Sequence, residues 1–195
     1  MSYFKLFILF LVFFLESILS KKMEKIQIIK NNVIVDNGFK IIPKNNYIFL
    51  DDIVLVIIPF FYLIYVMIYF KNFMLDKFLL VFIIIRLLRL ICMVSTIYPP
   101  PHTECIDILN EKKKIIPYYD YIFGGCNETI FSGHTSFMVL IFLFVYEYYN
   151  IFIRLLLFIY TIFGSILIIS SRSHYTIDVL LAWIITTLVY SVFKK

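Results

Sequence analysis

The chain has 195 residues, 62% hydrophobic and 16% charged, with a formal net charge of +5 and a mean hydropathy of +0.93. Soluble domains are about 45–50% apolar and about 25% charged, so this composition excludes a water-soluble globular domain and calls for lipid as solvent. The 6 Pro and 5 Gly leave no flexible linker, and the surplus Lys sits in short loops beside apolar runs, which speaks for membrane topology or anionic head groups and against nucleic acid as a partner.

An apolar run of about 20 residues, rising 1.5 Å per residue, crosses a hydrocarbon core of about 30 Å. Six such runs occur, at roughly 3–20, 49–70, 78–98, 133–149, 152–170 and 177–193. They predict an all-α membrane protein, a six-transmembrane-helix bundle. Residues 1–20 read as a retained first transmembrane helix or signal anchor. A cleaved signal peptide is the alternative, weakened by the lone upstream Lys5 and the poor cleavage site in "SILS". Residues 21–48 form a polar loop whose turn formers are Asn31, Asn32, Asp36, Asn37 and Gly38. The remaining five helices make one membrane domain, 49–195. Within it "KNFMLDK" (71–77) reads as a tight turn. Three consecutive prolines, Pro99 to Pro101, stop the third helix because none can continue it. Residues 99–131 are the longest break, a short turn falls near Asn150 and Arg154, and 171–176 are a brief polar excursion.

Two polar stretches open apolar runs: "GCNETIFSGHTSF" at 125–137 and "SRSHYTIDVLLAW" at 171–183. His134 and His174 are 40 residues apart, about 60 Å of helix, or one crossing down and one back. Both histidines are therefore expected on one membrane face, together with loops 21–48, 99–131 and 171–176.

His174 and Asp178 stand at i and i+4, on one face of a helix one turn apart. A carboxylate that accepts from one imidazole nitrogen sets the tautomer and leaves the other nitrogen to act as nucleophile or base. An Asp at the start of a spanning helix is expensive, and such residues are functional by default; the plainer alternative is an interfacial pair that caps the helix. Ser132 is a natural N-cap, and Gly133 lets the backbone approach a ligand. A helix N-terminus suits a phosphate, and His134 falls in that first turn; here the plainer alternative is a cap beside a surface His. Taken together, two histidines, one aspartate and an anion-binding helix start describe phosphoryl transfer through a phosphohistidine. Neither a carboxylate cluster for Mg²⁺ nor a Cys/His set with zinc spacing is present, so no metal or other cofactor is expected.

"CNETIFSGHTS" with "HYTIDVLLAW" resembles the sphingomyelin synthase family, within the wider group of lipid phosphatases that share SGH and HxxxD signatures. Cys126, Phe131, Ser132, Gly133, His134 and Thr135 match the family's first motif, while Asn127 and Glu128 stand where it has Gly and Asp. His174, Tyr175, Thr176, Asp178 and Val179 match the second. "RLICMVSTIYPPPHTEC" resembles the family's third helix and exit loop, with Arg89, Thr96, Pro99, Pro101 and Cys105 in corresponding places. The likeness runs from about residue 49 to 193. It implies a phospholipid head-group transferase. His174 would attack the donor phosphorus, and His134 would protonate the leaving diacylglycerol and then deprotonate the acceptor. Asp178 would orient and stabilise the imidazole.

The resemblance also implies the partners: a phospholipid donor, phosphatidylcholine first, and ceramide or diacylglycerol as acceptor. Ser132, Gly133, Arg89, Arg172 and Tyr175 are the expected substrate contacts. The related hydrolases carry an Arg-Pro downstream of a Lys, and an Arg six residues before the second His. No Arg-Pro occurs here, and position 168 is Ile168, with Arg172 nearby but shifted. Transfer is thus favoured over the alternative, a lipid phosphate phosphatase. A non-catalytic membrane lipid-binding protein is the alternative from another class, and it gives no reason for two His and an Asp to meet.

Arg86 and Arg89, one turn apart in the third helix, read either as phosphate contacts or as partners of a carboxylate on another helix. Glu16 and Glu147 read as helix-end or packing residues. Tyr118, Tyr119, Asp120 and Tyr121 are candidates for a cage around a quaternary ammonium. Cys92 reads as a packing residue. Cys105 and Cys126 share the exit loop, a disulfide if that loop is exoplasmic. The family places the site on the exoplasmic face of a multi-pass protein of the Golgi or plasma membrane. Charge counting opposes this, because the loops on that face hold ten Lys and Arg against six on the other.

Overall fold

Helix starts in this chain are written by small polar residues placed just ahead of apolar runs. The computed structural model describes residues 2–24, 34–45, 53–61, 64, 72–96, 98–101, 110, 114 and 130–194. Among them the regular elements are α1 (Ser2–Glu24), α2 (Asn37–Ile41), a π-helical segment (Ile53–Ile57), α3 (Asn72–Ser95), α4 (Gly133–Tyr148), α5 (Ile151–Ser170) and α6 (Thr176–Val192). Ser132 caps α4 by accepting from the Thr135 N–H. Asn150 caps α5 by accepting from the Ile153 N–H at 3.1 Å, which makes the α4–α5 connection the short turn expected there.

The all-α expectation holds for the described residues. Among the described residues, three stretches are long and apolar enough to cross a membrane: Tyr3–Ser20, Leu75–Ser95 and Ile151–Ser170. Gly133–Glu147 and Thr176–Val192 are apolar but shorter, and at 1.5 Å per residue α4 and α6 rise only about 24–26 Å. These short helices are the two that open on a polar motif. The predicted 49–70 span is described only at 53–61 and 64. Cys105, Cys126, Tyr118 to Tyr121, Asn127, Glu128 and much of the loops 21–48 and 99–131 also lie outside the described residues.

One boundary differs from expectation. The tight turn read at 71–77 is helical from Asn72 onward, so α3 starts six residues before the apolar run at 78. That stretch contains neither Gly nor Pro, and its charges find partners: the Lys5 ammonium reaches Asp76, donating to its carbonyl at 3.0 Å, and Lys77 lies 3.8 Å from Glu147. At the other end Ser95 closes α3, and the three prolines follow.

Helix α4 is the hub, packed against α3, α5, α6 and the π-helical segment, while α1 packs on α3. One buried cluster stacks aromatic edges down the middle, Phe78 to Phe144 and Phe144 to Tyr190, each pair 5.1 Å between centroids; Cys92 packs against it, as read from the sequence. A second cluster joins Leu55, Met138, Ile168 and Val179. There Gly164 brings α5 close to α4, since a Cβ would stand 2.6 Å from the Met138 sulfur. The outer faces remain apolar: Phe7, Phe10 and Phe14 of α1, and Phe152, Leu155 and Phe163 of α5, are exposed. In water that surface would be a liability; in lipid it is the expected exterior. The chain is a membrane protein.

Candidate active site

The first polar motif is built by capping. The Ser132 hydroxyl accepts from the Thr135 N–H (3.2 Å) and the Thr135 hydroxyl (3.0 Å), and the Ser136 hydroxyl donates to the Ser132 carbonyl (2.9 Å). Ser132, Thr135 and Ser136 are fully buried, so this small network is shielded from competing solvent. Gly133 also matters for packing. A Cβ there would lie 2.6 Å from Nη1 of Arg86 and 3.3 Å from Nε of Arg89, so the missing side chain makes room for two guanidiniums.

For those arginines, the alternative of a carboxylate on another helix is the arrangement observed. Arg86 donates to the Glu16 carboxylate, and Arg89 lies 3.5 Å from the same group. Glu16 is therefore more than a packing residue: it is the buried counter-charge that ties α1 to α3. Arg89 also donates through Nε to the Phe131 carbonyl at 3.0 Å, bracing the residue just before the Ser-Gly-His sequence. Glu147, paired with Lys77 near the end of α4, is the helix-end residue expected.

The second motif sits in the turn between α5 and α6. His174 and Asp178 are buried, with the His174 Nδ1 3.8 Å from the Asp178 Oδ2, within ion-pair reach but longer than a hydrogen bond. The same Oδ2 accepts from the Tyr175 N–H at 3.0 Å, so Asp178 also caps its own helix, as its place in the first turn allows. The Tyr175 hydroxyl donates to the carbonyls of Pro99 and Pro100, both at 3.2 Å, and burial raises its pKa, which keeps the proton available for that bond. Arg172 stands in the left-handed region (φ 58°). Its guanidinium donates to the carbonyls of Ile169, Phe39 and Ile42 and lies over the Phe39 ring at 4.1 Å. Burial lowers its pKa, and the nearby Asp36 opposes that shift. The Arg172 guanidinium and the Tyr175 hydroxyl thus hydrogen-bond to backbone carbonyls.

The two motifs meet. The imidazoles of His134 and His174 lie 6.5 Å apart between centroids and are inclined at 70°. The Ser132 N–H donates to the Asp178 carbonyl at 3.2 Å, so the starts of α4 and α6 share a main-chain bond. Both helices begin at this end of the bundle, and the placement expected from the 40-residue spacing is the one found. Among the described residues, no group of three or more His, Cys, Asp or Glu side chains gathers at a point where a metal ion could be held.

Sequence reasoning missed two residues that shape this site. Glu16 is a lone acid in the middle of an apolar run, a signal as strong as that of Arg86 and Arg89. Asp36 was read as a turn former, and the local sequence Asp36-Asn37-Gly38 does start α2. Its second partner, Thr176, lies 140 residues away and leaves no local trace.

Helices long enough to span a bilayer accompany a shared end where Ser-Gly-His meets His-x-x-x-Asp. Residues 125–195, which contain both motifs, match the family model described as PAP2 superfamily C-terminal. The curated relatives that it resembles are ceramide phosphotransferases. Phosphatidylinositol:ceramide inositolphosphotransferase 3 of Arabidopsis thaliana is 37% identical over 92 residues, covering 46% of this chain and 30% of the relative. Phosphatidylcholine:ceramide cholinephosphotransferase 2 of Homo sapiens is 34% identical over 118 residues, covering 52% of this chain and 32% of the relative. The chain spans about a third of the length of these relatives. The likeness to the sphingomyelin synthase family read from the two motifs is thereby shown.

Proposed function

We propose that this protein transfers a phosphorylated head group from a glycerophospholipid to ceramide through a phosphohistidine. The observation that carries this reading is the pair His134 and His174, 6.5 Å apart at the common end of α4 and α6, with Asp178 beside the second. A phosphodiester fits between two such rings, one placed to attack phosphorus and the other to handle the proton.

In the first step a nitrogen of His174 forms a bond to phosphorus as the bond from phosphorus to the glycerol oxygen breaks. His134 gives its proton to that oxygen, and diacylglycerol leaves. Nδ1 of His174 faces Asp178, so Nε2 is the attacking atom and the carboxylate offsets the charge that develops on the ring. In the second step the ceramide hydroxyl gives its proton to His134 while its oxygen bonds to phosphorus. The bond from nitrogen to phosphorus then breaks, and both histidines are restored. The N-terminus of α4 contributes positive potential at the phosphate. Ser132, Gly133 and Tyr175 are the substrate-side residues in this account. Arg89 and Arg172 act from behind, holding the two motifs through backbone carbonyls.

We take phosphocholine as the group moved, because a trimethylammonium favours aromatic faces and Tyr98, Tyr175 and Phe39 cluster at the second motif. Phosphoinositol is the second reading, favoured by the identity to the Arabidopsis thaliana relative. The 49–70 run would supply the sixth span, and the site would face the exoplasmic side of a Golgi or plasma membrane. The test is purified protein in mixed micelles with labelled ceramide and one donor at a time. Labelled sphingomyelin from phosphatidylcholine is expected. Product only from phosphatidylinositol selects the second reading, and released phosphocholine or phosphate without transfer favours hydrolysis.

A further inference from the structure

We propose that Asp36, outside both motifs, is a positioning residue for His174, and this rests on the function proposed above. One carboxylate caps two helix starts. Its Oδ1 accepts from the Gly38 N–H at 2.7 Å, the Phe39 N–H at 3.4 Å and the Thr176 hydroxyl at 2.6 Å, and its Oδ2 accepts from the Thr176 N–H at 2.6 Å. The first two bonds start α2. The last two satisfy the opening residue of α6, which lies midway between His174 and Asp178.

The contact extends along the whole turn. Phe39 stacks on Tyr175 (5.7 Å, 17°), and Arg172 donates to the carbonyls of Phe39 and Ile42. The Asn45 N–H donates to the Ser170 carbonyl at 2.9 Å, and the Ser170 hydroxyl donates to the Pro43 carbonyl at 2.8 Å. Gly38 presses so closely that a Cβ there would collide with the Thr176 hydroxyl. On the opposite side Tyr175 is held by the carbonyls of Pro99 and Pro100. His174 therefore projects from a turn clamped from both sides, and Asp36 is the ionic centre of one clamp. The ring of His174 is set relative to Asp178 and His134 by the backbone between 173 and 178, and Asp36 holds the middle of that stretch. A misplacement near 1 Å at a reacting group lowers rate on the order of 100-fold.

The test uses the full chain in detergent with three variants, Asp36→Ala, Thr176→Val and Thr176→Ser, and two readouts. In the transfer assay, Asp36→Ala is expected to lower kcat on the order of 100-fold with KM for the donor within about twofold. Thr176→Val, which keeps the N–H bond, should lower kcat by less, and Thr176→Ser, which keeps both bonds, should retain activity. The second readout is independent of activity: the rate at which diethyl pyrocarbonate modifies His174, followed by mass spectrometry with His134 as the internal reference. That rate should rise several-fold in Asp36→Ala and stay unchanged in Thr176→Ser. If wild type transfers nothing to ceramide, the functional reading falls and the modification rates still judge the clamp. If Asp36→Ala does not fold, Thr176→Val decides. Unchanged kcat together with an unchanged His174 modification rate in the folded variants overturns the proposal, as does a change confined to KM.

Discussion

The backbone N–H of Ser132 donates to the backbone carbonyl of Asp178 at 3.2 Å, so the residue that caps α4 is joined to the carboxylate-bearing residue of α6 by main chain alone. Because side-chain changes leave that bond in place, the role of the Asp178 carboxylate can be tested without pulling the motifs apart. Asp178→Asn should keep the fold and its lipid binding while kcat falls by roughly 100-fold or more, since the His174 imidazole loses its counter-charge and its tautomer is no longer set. Steady-state kinetics beside a thermal melt in detergent separates the two effects.

Glu16 is the buried counter-charge for Arg86 and Arg89. Removing one member of a buried ion pair leaves an uncompensated charge and typically costs about 3–5 kcal/mol. Glu16→Ala should therefore lower the melting temperature far more than Glu147→Ala, whose loss affects the longer ion pair with Lys77 alone rather than two arginines. The double change Glu16→Leu with Arg86→Met should recover part of the loss. Differential scanning fluorimetry checks all three.

Two glycines face crowded neighbours with opposite expectations. At Gly133 a Cβ meets the Arg86 and Arg89 guanidiniums, which are already engaged by Glu16 and the Phe131 carbonyl. At Gly164 it meets the end of the flexible Met138 side chain and Leu55. Gly133→Ala should abolish turnover and shift the melt, whereas Gly164→Ala should cost about 1–3 kcal/mol of overpacking and keep activity. Loss of activity in Gly164→Ala with wild-type turnover in Gly133→Ala would reverse this assignment.

Burial pulls the Asp36 carboxyl upward, but hydrogen bonds from the Thr176 hydroxyl and from the N–H groups of Thr176, Gly38 and Phe39 outweigh it and hold the pKa below the ordinary value. A depressed folded pKa contributes stability that is present above the unfolded value, about 3.9, and is lost as pH falls through the folded one. The clamp on the 170–176 turn should thus survive mild acid and loosen only below the ordinary carboxylate range. Melting curves at a series of pH values should show wild type losing more stability than Asp36→Asn across that window, and parallel curves would contradict the assignment.

Much of this architecture was legible in the residues, for physical reasons that vary by element. The starts of α4 and α5 follow from Ser132 and Asn150, because capping is local and its signal sits beside the apolar run. That His134 and His174 share one end of the bundle follows from helix rise against bilayer thickness, whereas their 6.5 Å approach needs the packing of α4 on α6. The start of α3 is hidden in the sequence because Asp76 and Lys77 read as loop until their partners Lys5 and Glu147 are seen. The role of Glu16 is hidden because an acid within an apolar run does not announce which helix carries its cation. Asp36 reads locally as a turn former, because its bond to Thr176 joins segments with no shared periodicity. Arg172 is an expected substrate contact, and its described guanidinium hydrogen bonds go to backbone carbonyls of Ile169, Phe39 and Ile42, partners that no local pattern announces.

The most direct test of the central claim is a search for the covalent intermediate. Protein is mixed with a donor phospholipid labelled in its phosphate, quenched, and analysed for acid-labile, base-stable label on histidine. The account predicts label on His174, absent in His174→Ala and in wild type chased with ceramide, with the lost counts recovered in the ceramide product. Steady turnover without any such label, or full activity in His174→Ala, would contradict it.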